Sequence, residues 1–183
     1  DSVASRGLGD VYKRQNEMIQ QATFMANEMG RLRNSITSGE GNIAGFLGEI
    51  AAKKFLNLPL NEYTNTYDYD LIYQNNKIDV KSKLTTVRPR SDYEASVADY
   101  NTHQDCDYYL FTRVLQAKHQ NYPSHVYLMG YLPKSEYYTK ARHLKKGQVD
   151  GYNKFVVRAD CWNMYYRDLL PVKNLVLNSL CEA

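Results

Sequence analysis

The stretch Tyr67–Lys83, YDYDLIYQNNKIDVKSK, predicts a β-hairpin around which the rest of the chain is organised. Two segments rich in aromatic and β-branched residues flank Asn75-Asn76, and asparagine tolerates the positive φ that a tight hairpin turn requires. If the turn is centred on these two asparagines, Asp70 faces Lys81 across the strands and Asp79 is its diagonal neighbour.

Side chains of a strand alternate between the two faces of its sheet. One face of the predicted hairpin therefore carries Asp68, Asp70, Ile72, Asp79, Lys81 and Lys83, and the other carries Tyr67, Tyr69, Leu71, Tyr73, Ile78 and Val80. Alternation alone favours an amphipathic hairpin with a solvated polar face. Two carboxylates within roughly 7–8 Å of each other repel unless a cation lies between them, so a metal site is the alternative.

Asp70, eight intervening residues and then Asp79-Val80-Lys81 resemble the signature of the PD-(D/E)XK nuclease superfamily. The proline that names the motif is absent, because Tyr69 precedes Asp70. The resemblance covers about residues 40–132. It implies an α/β fold with a restriction-endonuclease-like core, in which helices flank a central mixed β-sheet. It also implies metal-dependent hydrolysis of phosphodiester bonds in DNA, with an endonuclease favoured over an exonuclease.

A helix is predicted over about Ile43–Leu56, with a bulky face on one side and a stripe of small residues, Gly41, Gly45, Gly48 and Ala52, on the other. Each glycine costs a helix about 1 kcal/mol relative to alanine, which indicates that something packs close to this stripe. Glu49 lies at the border of the two faces. It fits a salt bridge to Lys53 four residues later, or a third carboxylate directed at a metal. The segment resembles the first core helix of many PD-(D/E)XK nucleases, which implies the second role.

The resemblance assigns catalytic roles to four residues, Glu49, Asp70, Asp79 and Lys81. The expected metal ligands are Asp70, Asp79, the carbonyl of Val80 and Glu49, and the expected cofactor is Mg²⁺, with Mn²⁺ as a substitute. Lys81 is expected to position the attacking water and to stabilise charge on the phosphate. The metal is expected to polarise the phosphoryl oxygen and to lower the pKa of bound water.

Positive charge outside the hairpin is concentrated in two places. Arg88 and Arg90 flank Pro89 in a loop after the motif strand, and this loop is either simply solvated or a phosphate contact. The densest cluster follows Pro133 and is either a solvated helix end or a rim facing DNA. The predicted DNA contacts are Lys83, Arg88, Arg90, Lys140, Arg142, Lys145 and Lys146. The net charge of +3 permits a basic groove without demonstrating one.

Residues 1–15 fit no periodic pattern and are predicted to be a leader, non-native or disordered, outside a single nuclease-like domain over residues 16–183. Within that domain the patterns predict a helix from Asn16 to Asn34 and a short strand from Leu60 to Thr66. Further predictions are a helix over Ser91–Gln104, central strands over Cys106–Leu115 and His125–Leu132, a helix or turn after Pro133, and helical turns over Trp162–Leu170 and Lys173–Leu180.

Composition argues against several other classes of protein. The chain has 183 residues, of which 43% are hydrophobic, and this suits one globular domain. Three cysteines without CxxC spacing argue against a disulfide framework or a zinc site and predict a reducing, cytoplasmic location. No apolar run approaches the roughly 20 residues of a membrane helix, so no membrane partner is expected.

Two other functions remain open from the sequence. One is a non-catalytic DNA-binding or structural member of the same fold, and the other is a protein-interaction domain with many surface tyrosines. The presence of all four expected charged groups favours the enzyme. Oligomeric state is not readable, although many relatives cut duplexes as dimers, so the resemblance implies a homodimer as one option.

Overall fold

A computed structural model of the chain describes residues 10–13, 18–20, 22–24, 42–60, 67–151 and 154–177. Its helices are α1 (Asn42–Phe55), α2 (Lys134–Lys140) and α3 (Lys173–Leu177), and residues 18–20 and 22–24 are also helical. The strands are β1 (Asp10–Lys13), β2 (Leu71–Tyr73), β3 (Asn76–Thr85), β4 (Glu94–Ala98), β5 (Tyr108–Leu115), β6 (His125–Pro133), β7 (Arg142–Leu144) and β8 (Cys161–Tyr165).

These strands form two sheets. The larger has the order β1-β6-β5-β3-β2, and the smaller has the order β4-β8-β7. Strands β3 and β5 run parallel, whereas every other pair is antiparallel. The protein therefore has the mixed α/β architecture that the sequence predicts, with a mixed sheet flanked by a few helices. The restriction-endonuclease-like core remains a finer prediction.

The hairpin forms where it was predicted, but its turn lies one residue earlier. Gln74 and Asn75 have φ values of 50° and 64°, so they, and not Asn75-Asn76, occupy the two central turn positions. Tyr73 pairs with Asn76 and Leu71 with Ile78. The pairing is thus shifted by two residues, which keeps every side chain on its predicted face. The prediction that Asp70 faces Lys81 is wrong, because the pairing ends with Leu71 opposite Ile78, which leaves Lys81 three residues beyond the last paired position.

Helix α1 packs against one face of the larger sheet and comes very close to β3 and β5. Its bulky residues Phe46, Leu47 and Ile50 are buried in a core with Ile78 and Val80 of β3. At Gly48 an added Cβ would lie 2.0 Å from Ser82 Oγ and 2.5 Å from Thr112 Oγ1, whereas at Gly45 it would meet nothing within 4 Å. The close packing predicted from the small-residue stripe is therefore confirmed at Gly48 and absent at Gly45.

The opposite face of the larger sheet packs against the smaller sheet through an aromatic core. Tyr109 and Phe111 of β5 and Tyr137 of α2 are all fully buried. The rings of Phe111 and Tyr137 stack with centroids 5.3 Å apart, and Tyr109 meets Tyr137 edge-on at 5.6 Å. The Tyr137 hydroxyl donates to the Trp162 carbonyl at 2.6 Å, so its burial leaves no polar atom unpaired.

Three predicted segments differ from the structure. Ser91–Gln104 is strand β4 followed by a 3-10 helix over Asp99–His103, and Trp162–Leu170 is mostly strand β8 and a 3-10 turn. In both, aromatic residues at helical spacing gave a misleading period, and the pairing of β4 with β8 decided the conformation. Asp10–Lys13, which we set aside with the leader, pairs with β6. Four residues are too few to show a period.

The other strand and helix predictions agree, with ends displaced by one or two residues, except that the helix after Pro133 ends at Lys140 and is followed by strand β7. Helix α1, strands β5 and β6, and the helix after Pro133 are confirmed. The C-terminal helix is confirmed as far as Leu177. The strand predicted over Leu60–Thr66, apart from Leu60 itself, and most of the helix predicted over Asn16–Asn34 lie outside the described residues.

The contact at Gly48 predicts opposite effects for two substitutions on one helix. Gly48→Ala should lower the free energy of unfolding by about 1–3 kcal/mol, because the overpacking against Ser82 and Thr112 outweighs the gain in helix propensity. Gly45→Ala, which has open space around it, should raise that free energy by up to about 1 kcal/mol. Urea unfolding measures both changes. Equal effects of the two substitutions would contradict the close approach.

Candidate metal centre

The carboxylate of Asp70 lies where the pairing of β2 with β3 ends. The Asp70 N–H still donates to the Ile78 carbonyl at 3.0 Å, but the next N–H of β3, that of Val80, donates to Asp70 Oδ2 at 2.6 Å. A side chain has therefore replaced the strand partner that this backbone group would otherwise need. This hydrogen bond holds the Asp70 carboxylate against the edge of β3.

Asp79 is a buried carboxylate, with 4% of its surface exposed. Its Oδ1 accepts a hydrogen bond from Gln104 Nε2 at 3.1 Å. Its Oδ2 lies 2.7 Å from Lys81 Nζ but has no hydrogen bond of acceptable geometry, so this contact is an ion pair only. A buried carboxylate needs compensation by charge and by donors, and one oxygen of Asp79 is left without a donor.

Lys81 lies beside Asp79, and its ammonium group forms one ion pair and one hydrogen bond. Besides the Asp79 contact, Lys81 Nζ donates to Gln104 Oε1 at 2.9 Å. The ammonium group also lies 5.7 Å from the centroid of the Tyr109 ring. Both acceptors and the ring fix its position at the edge of the aromatic core.

Glu49 approaches this group from α1. Protein atoms around its carboxyl group raise its pKa well above the usual value, first by desolvation and then by repulsion from Asp70. Asp79 raises the pKa further, whereas the buried Lys53 one turn later lowers it. Lys53 thus acts electrostatically on Glu49, and Asp70 and Asp79 act on it in the opposite sense. The role of Glu49 as a metal ligand stays a prediction.

The pKa of Asp70 is also raised. Its pKa rises from 3.8 to about 7, first through desolvation and then through repulsion by Asp79, while the Val80 N–H, Lys81 and Lys53 act in the opposite sense. Like-charged carboxylates that share a site hold protons more tightly. The structure therefore brings Glu49, Asp70, Asp79 and Lys81 together, and it assigns the cluster an excess of negative charge.

The residues present fit a hard divalent cation. Carboxylate oxygens are the ligands that Mg²⁺ prefers, and Oδ2 of the buried Asp79 accepts no hydrogen bond, although it forms an ion pair with Lys81. The carboxylates of Glu49, Asp70 and Asp79 do not all lie within 4.8 Å of one another.

Gln104 is the site residue that the sequence did not reveal. It ends the 3-10 segment after β4, and its side chain contacts both Asp79 and Lys81. No charge, spacing or periodicity singles out this glutamine, because the path of β4 and the following turn brings it to the hairpin. The mistaken helix over Ser91–Gln104 also concealed it.

The predicted DNA contacts do not form one cluster of free positive charge. Lys140 pairs with Glu136, Lys145 pairs with Asp160 at 3.0 Å, and Arg142 pairs with Glu94 and Asp150. Arg90 is bound to Asp92 through two hydrogen bonds. Among the residues that the structure describes, the ion pairs do not include the side chains of Lys83, Arg88 and Lys146. The pKa of Lys83 is lowered by desolvation and by the nearby Arg113.

A second group of possible ligands lies on the smaller sheet. Asp99, His143 and Asp160 bring one candidate atom each within 4.8 Å of one another. Asp99 Oδ1 is already bound to Trp162 Nε1 at 2.9 Å and lies 3.0 Å from His143 Nε2. Asp160 accepts from the Lys145 side chain and the Lys146 backbone. These partners explain the cluster without a metal.

No protein-family model matches the chain, and no curated protein matches its sequence. Within the described part of the chain, none of the helices has the length and apolar character that crossing a bilayer requires.

The raised pKa of Asp70 predicts a pH-dependent loss of stability in metal-free protein. Between about pH 4 and pH 7 the folded protein keeps a proton that the unfolded chain releases, so the free energy of unfolding falls as the pH rises. Asp70→Asn keeps an acceptor for Val80 N–H and removes the charge. Its advantage over the parent should be near zero at pH 4 and should reach up to about 4 kcal/mol above pH 7.

Urea unfolding between pH 4 and pH 8.5 in the presence of EDTA measures this difference. The control is Asp92→Asn, because the pKa of the exposed Asp92 is lowered by Arg90 and its loss should give no gain at neutral pH. If the stability difference between Asp70→Asn and the parent is the same at all pH values, the pKa of Asp70 is not raised in the folded protein.

Proposed function

We propose that this protein is a metal-dependent DNA nuclease that hydrolyses phosphodiester bonds, with an endonuclease favoured over an exonuclease. One observation carries the proposal: three carboxylates and one lysine from separate elements, α1 and the hairpin, converge where the β2–β3 pairing ends. Carboxylates on neighbouring strands with a lysine beside them suit a divalent cation on one side and a phosphate on the other.

Each residue has a part in this reaction. Asp70 and Asp79 would hold Mg²⁺, or Mn²⁺ in its place, with Glu49 as a further ligand directly or through water and the Val80 carbonyl as another oxygen. A bound divalent ion would supply Lewis-acid polarisation of the phosphate and a more acidic water. Lys81 would orient the attacking water and stabilise the negative charge that develops on the phosphate oxygens.

The arrangement of the elements supports a restriction-endonuclease-like core as part of the proposal. A helix bearing Glu49 packs on the sheet, an antiparallel hairpin carries the two aspartates, and β5 extends the sheet parallel to β3. We also propose a reducing, cytoplasmic location, because Cys106 and Cys161 are free thiols. A homodimer remains an option implied by the resemblance alone.

The second candidate is a DNA-binding or structural member of the same fold that does not cut. The observation in its favour is the Asp79–Lys81 ion pair, since a lysine engaged by a carboxylate is also what a purely structural salt bridge requires. The raised pKa values favour the enzyme, because a structural cluster gains nothing from surplus carboxylates.

Two substitutions should distinguish metal binding from DNA cleavage, because one should abolish metal binding and the other should abolish cleavage alone. Added Mg²⁺ or Mn²⁺ should raise the thermal midpoint of the parent by mass action, because the ion binds the folded state and relieves repulsion. Asp79→Asn should lose most of this rise. Lys81→Ala should keep it and lose most hydrolysis of DNA, because the ammonium group acts on the phosphate and not on the ion.

The assay uses supercoiled, linear and branched DNA with Mg²⁺, Mn²⁺ or EDTA, and differential scanning fluorimetry on the same samples. Lys77→Ala is the matched control, since Lys77 lies on the same strand but pairs with Asp105 at the exposed end. A Lys81→Ala variant that cuts as fast as Lys77→Ala would favour the non-catalytic candidate. A parent without metal stabilisation and without cleavage would do the same.

The loop after β3 should bind phosphate chiefly through Arg88. Arg88→Ala should weaken DNA binding and reduce the salt slope by roughly one unit with little change in sequence preference. Arg90→Ala should have a smaller effect, because Asp92 already compensates its charge. Fluorescence anisotropy between 50 and 250 mM salt measures both slopes. Unchanged slopes in the double variant would assign the loop no contact with DNA.

A further inference from the structure

Gln104 is a buried polar side chain that forms hydrogen bonds with two residues of the metal centre, Asp79 and Lys81. It is 5% exposed. Its Nε2 donates to Asp79 Oδ1 at 3.1 Å and to the Tyr67 carbonyl at 2.5 Å, and its Oε1 accepts from Lys81 Nζ at 2.9 Å. Its own carbonyl accepts from Lys134 Nζ. The amide is therefore fully engaged.

These partners allow one orientation of the amide. The carboxylate of Asp79 and the carbonyl of Tyr67 require a donor, whereas the ammonium group of Lys81 requires an acceptor. A flipped amide would place NH₂ against the ammonium group and oxygen against the carboxylate. A primary amide is the neutral side-chain group that offers both on the correct sides, since glutamate has no donor when ionised.

The position of Lys81 depends most on Gln104 Oε1 when Asp79 is bound to a divalent cation. In the present arrangement the ammonium group is shared between Asp79 Oδ2 and Gln104 Oε1. A carboxylate engaged by a divalent cation attracts the lysine less, because part of its charge is neutralised. The hydrogen bond from Lys81 to Gln104 Oε1 does not weaken when the charge of Asp79 is neutralised.

We propose that Gln104 is a positioning residue that holds Lys81 at the scissile phosphate through Oε1 and orients Asp79 through Nε2. The inference rests on the proposed nuclease function. It goes beyond the four-residue motif, because Gln104 lies between β4 and β5, outside the hairpin and α1. Gln104 contacts neither metal nor substrate in this role and acts through its two neighbours.

Two isosteric variants separate the two hydrogen-bonding functions of the amide. Gln104→Met fills a similar volume and removes both the acceptor and the donor. Gln104→Glu keeps an acceptor for Lys81 and places a second carboxylate against Asp79. The matched control is Gln116→Met, since Gln116 lies in the loop after β5 and its side-chain amide donates to the Gln120 carbonyl at 3.1 Å.

Activity should respond in kcat and hardly in KM. Gln104→Met should lower kcat at saturating Mg²⁺ at least tenfold and change the KM for DNA less than threefold, because Lys81 is displaced while the DNA contacts remain. Gln104→Glu should recover part of that loss, because its carboxylate still accepts from Lys81. If Gln104 had only a structural role, Gln104→Glu would have a lower kcat than Gln104→Met, because a buried extra charge destabilises the fold more than methionine does.

Thermal shifts supply a readout that does not depend on cleavage. Metal-free Gln104→Glu should melt below the parent, because its carboxylate repels Asp79. Its rise in midpoint on addition of Mn²⁺ should exceed the rise in the parent. Gln104→Met should show a rise within a few degrees of the parent's. Circular dichroism confirms that each variant is folded before the comparison.

The outcomes distinguish this inference from the proposed function. A parent that cuts while Gln104→Met cuts as fast as Gln116→Met overturns the role of Gln104 and leaves the nuclease intact. A Gln104→Glu variant slower than Gln104→Met, with no larger Mn²⁺-induced rise, overturns it as well. A parent that cuts no DNA with any metal overturns both proposals.

Discussion

The buried carboxylate of Asp79 is the constraint on which the rest of this site depends. Burial of a charge is costly unless an opposite charge and hydrogen-bond donors surround it. Here Lys81 supplies the charge and Gln104 supplies a donor, and each of the two is also bound to the other. The arrangement couples three elements, namely the motif strand, the aromatic core beneath Lys81 and the turn that follows β4.

The position of Glu49 follows from a packing constraint one residue earlier. Gly48 lets α1 approach Ser82 and Thr112 more closely than any residue with a Cβ allows. The next residue of the helix is consequently carried to the level of the hairpin carboxylates, where it senses the charges of Asp70 and Asp79. A glycine that weakens the helix thus brings a carboxylate from outside the hairpin to the cluster.

The sequence predicted the parts of the fold in which local chemistry decides the outcome. The faces of the hairpin, the buried strands β5 and β6 and the helix α1 follow from period and turn residues. The motif singled out Asp70, Asp79 and Lys81, and the resemblance of the helix segment singled out Glu49. The register error at Gln74-Asn75 shows the limit of turn chemistry, because two adjacent asparagines allow alternative turn centres. The error was harmless to the site because a shift of two residues preserves the faces.

The features that the sequence did not predict depend on pairing between segments that are distant in the chain. Strand β4 exists because β8 lies beside it, and this pairing overrides a weak helical period. Gln104 is near Lys81 for the same reason, and Arg142 is unavailable to a phosphate because Glu94 of β4 is its partner. Three of the basic residues that look concentrated along the chain, Lys140, Arg142 and Lys145, are paired with carboxylates in the folded protein.

The charge of the assembled cluster gives a physical reason for a divalent ion and a phosphate to meet here. Three carboxylates, Glu49, Asp70 and Asp79, act together with two ammonium groups, those of Lys53 and Lys81. With all five ionised the cluster has one surplus negative charge, and the raised pKa values of Glu49 and Asp70 indicate that a proton is taken up to offset it. A divalent ion in place of that proton reverses the sign, leaving one surplus positive charge. That charge matches the single negative charge of a phosphodiester, so in the proposed function the ion would convert a cluster without surplus charge into one that attracts DNA.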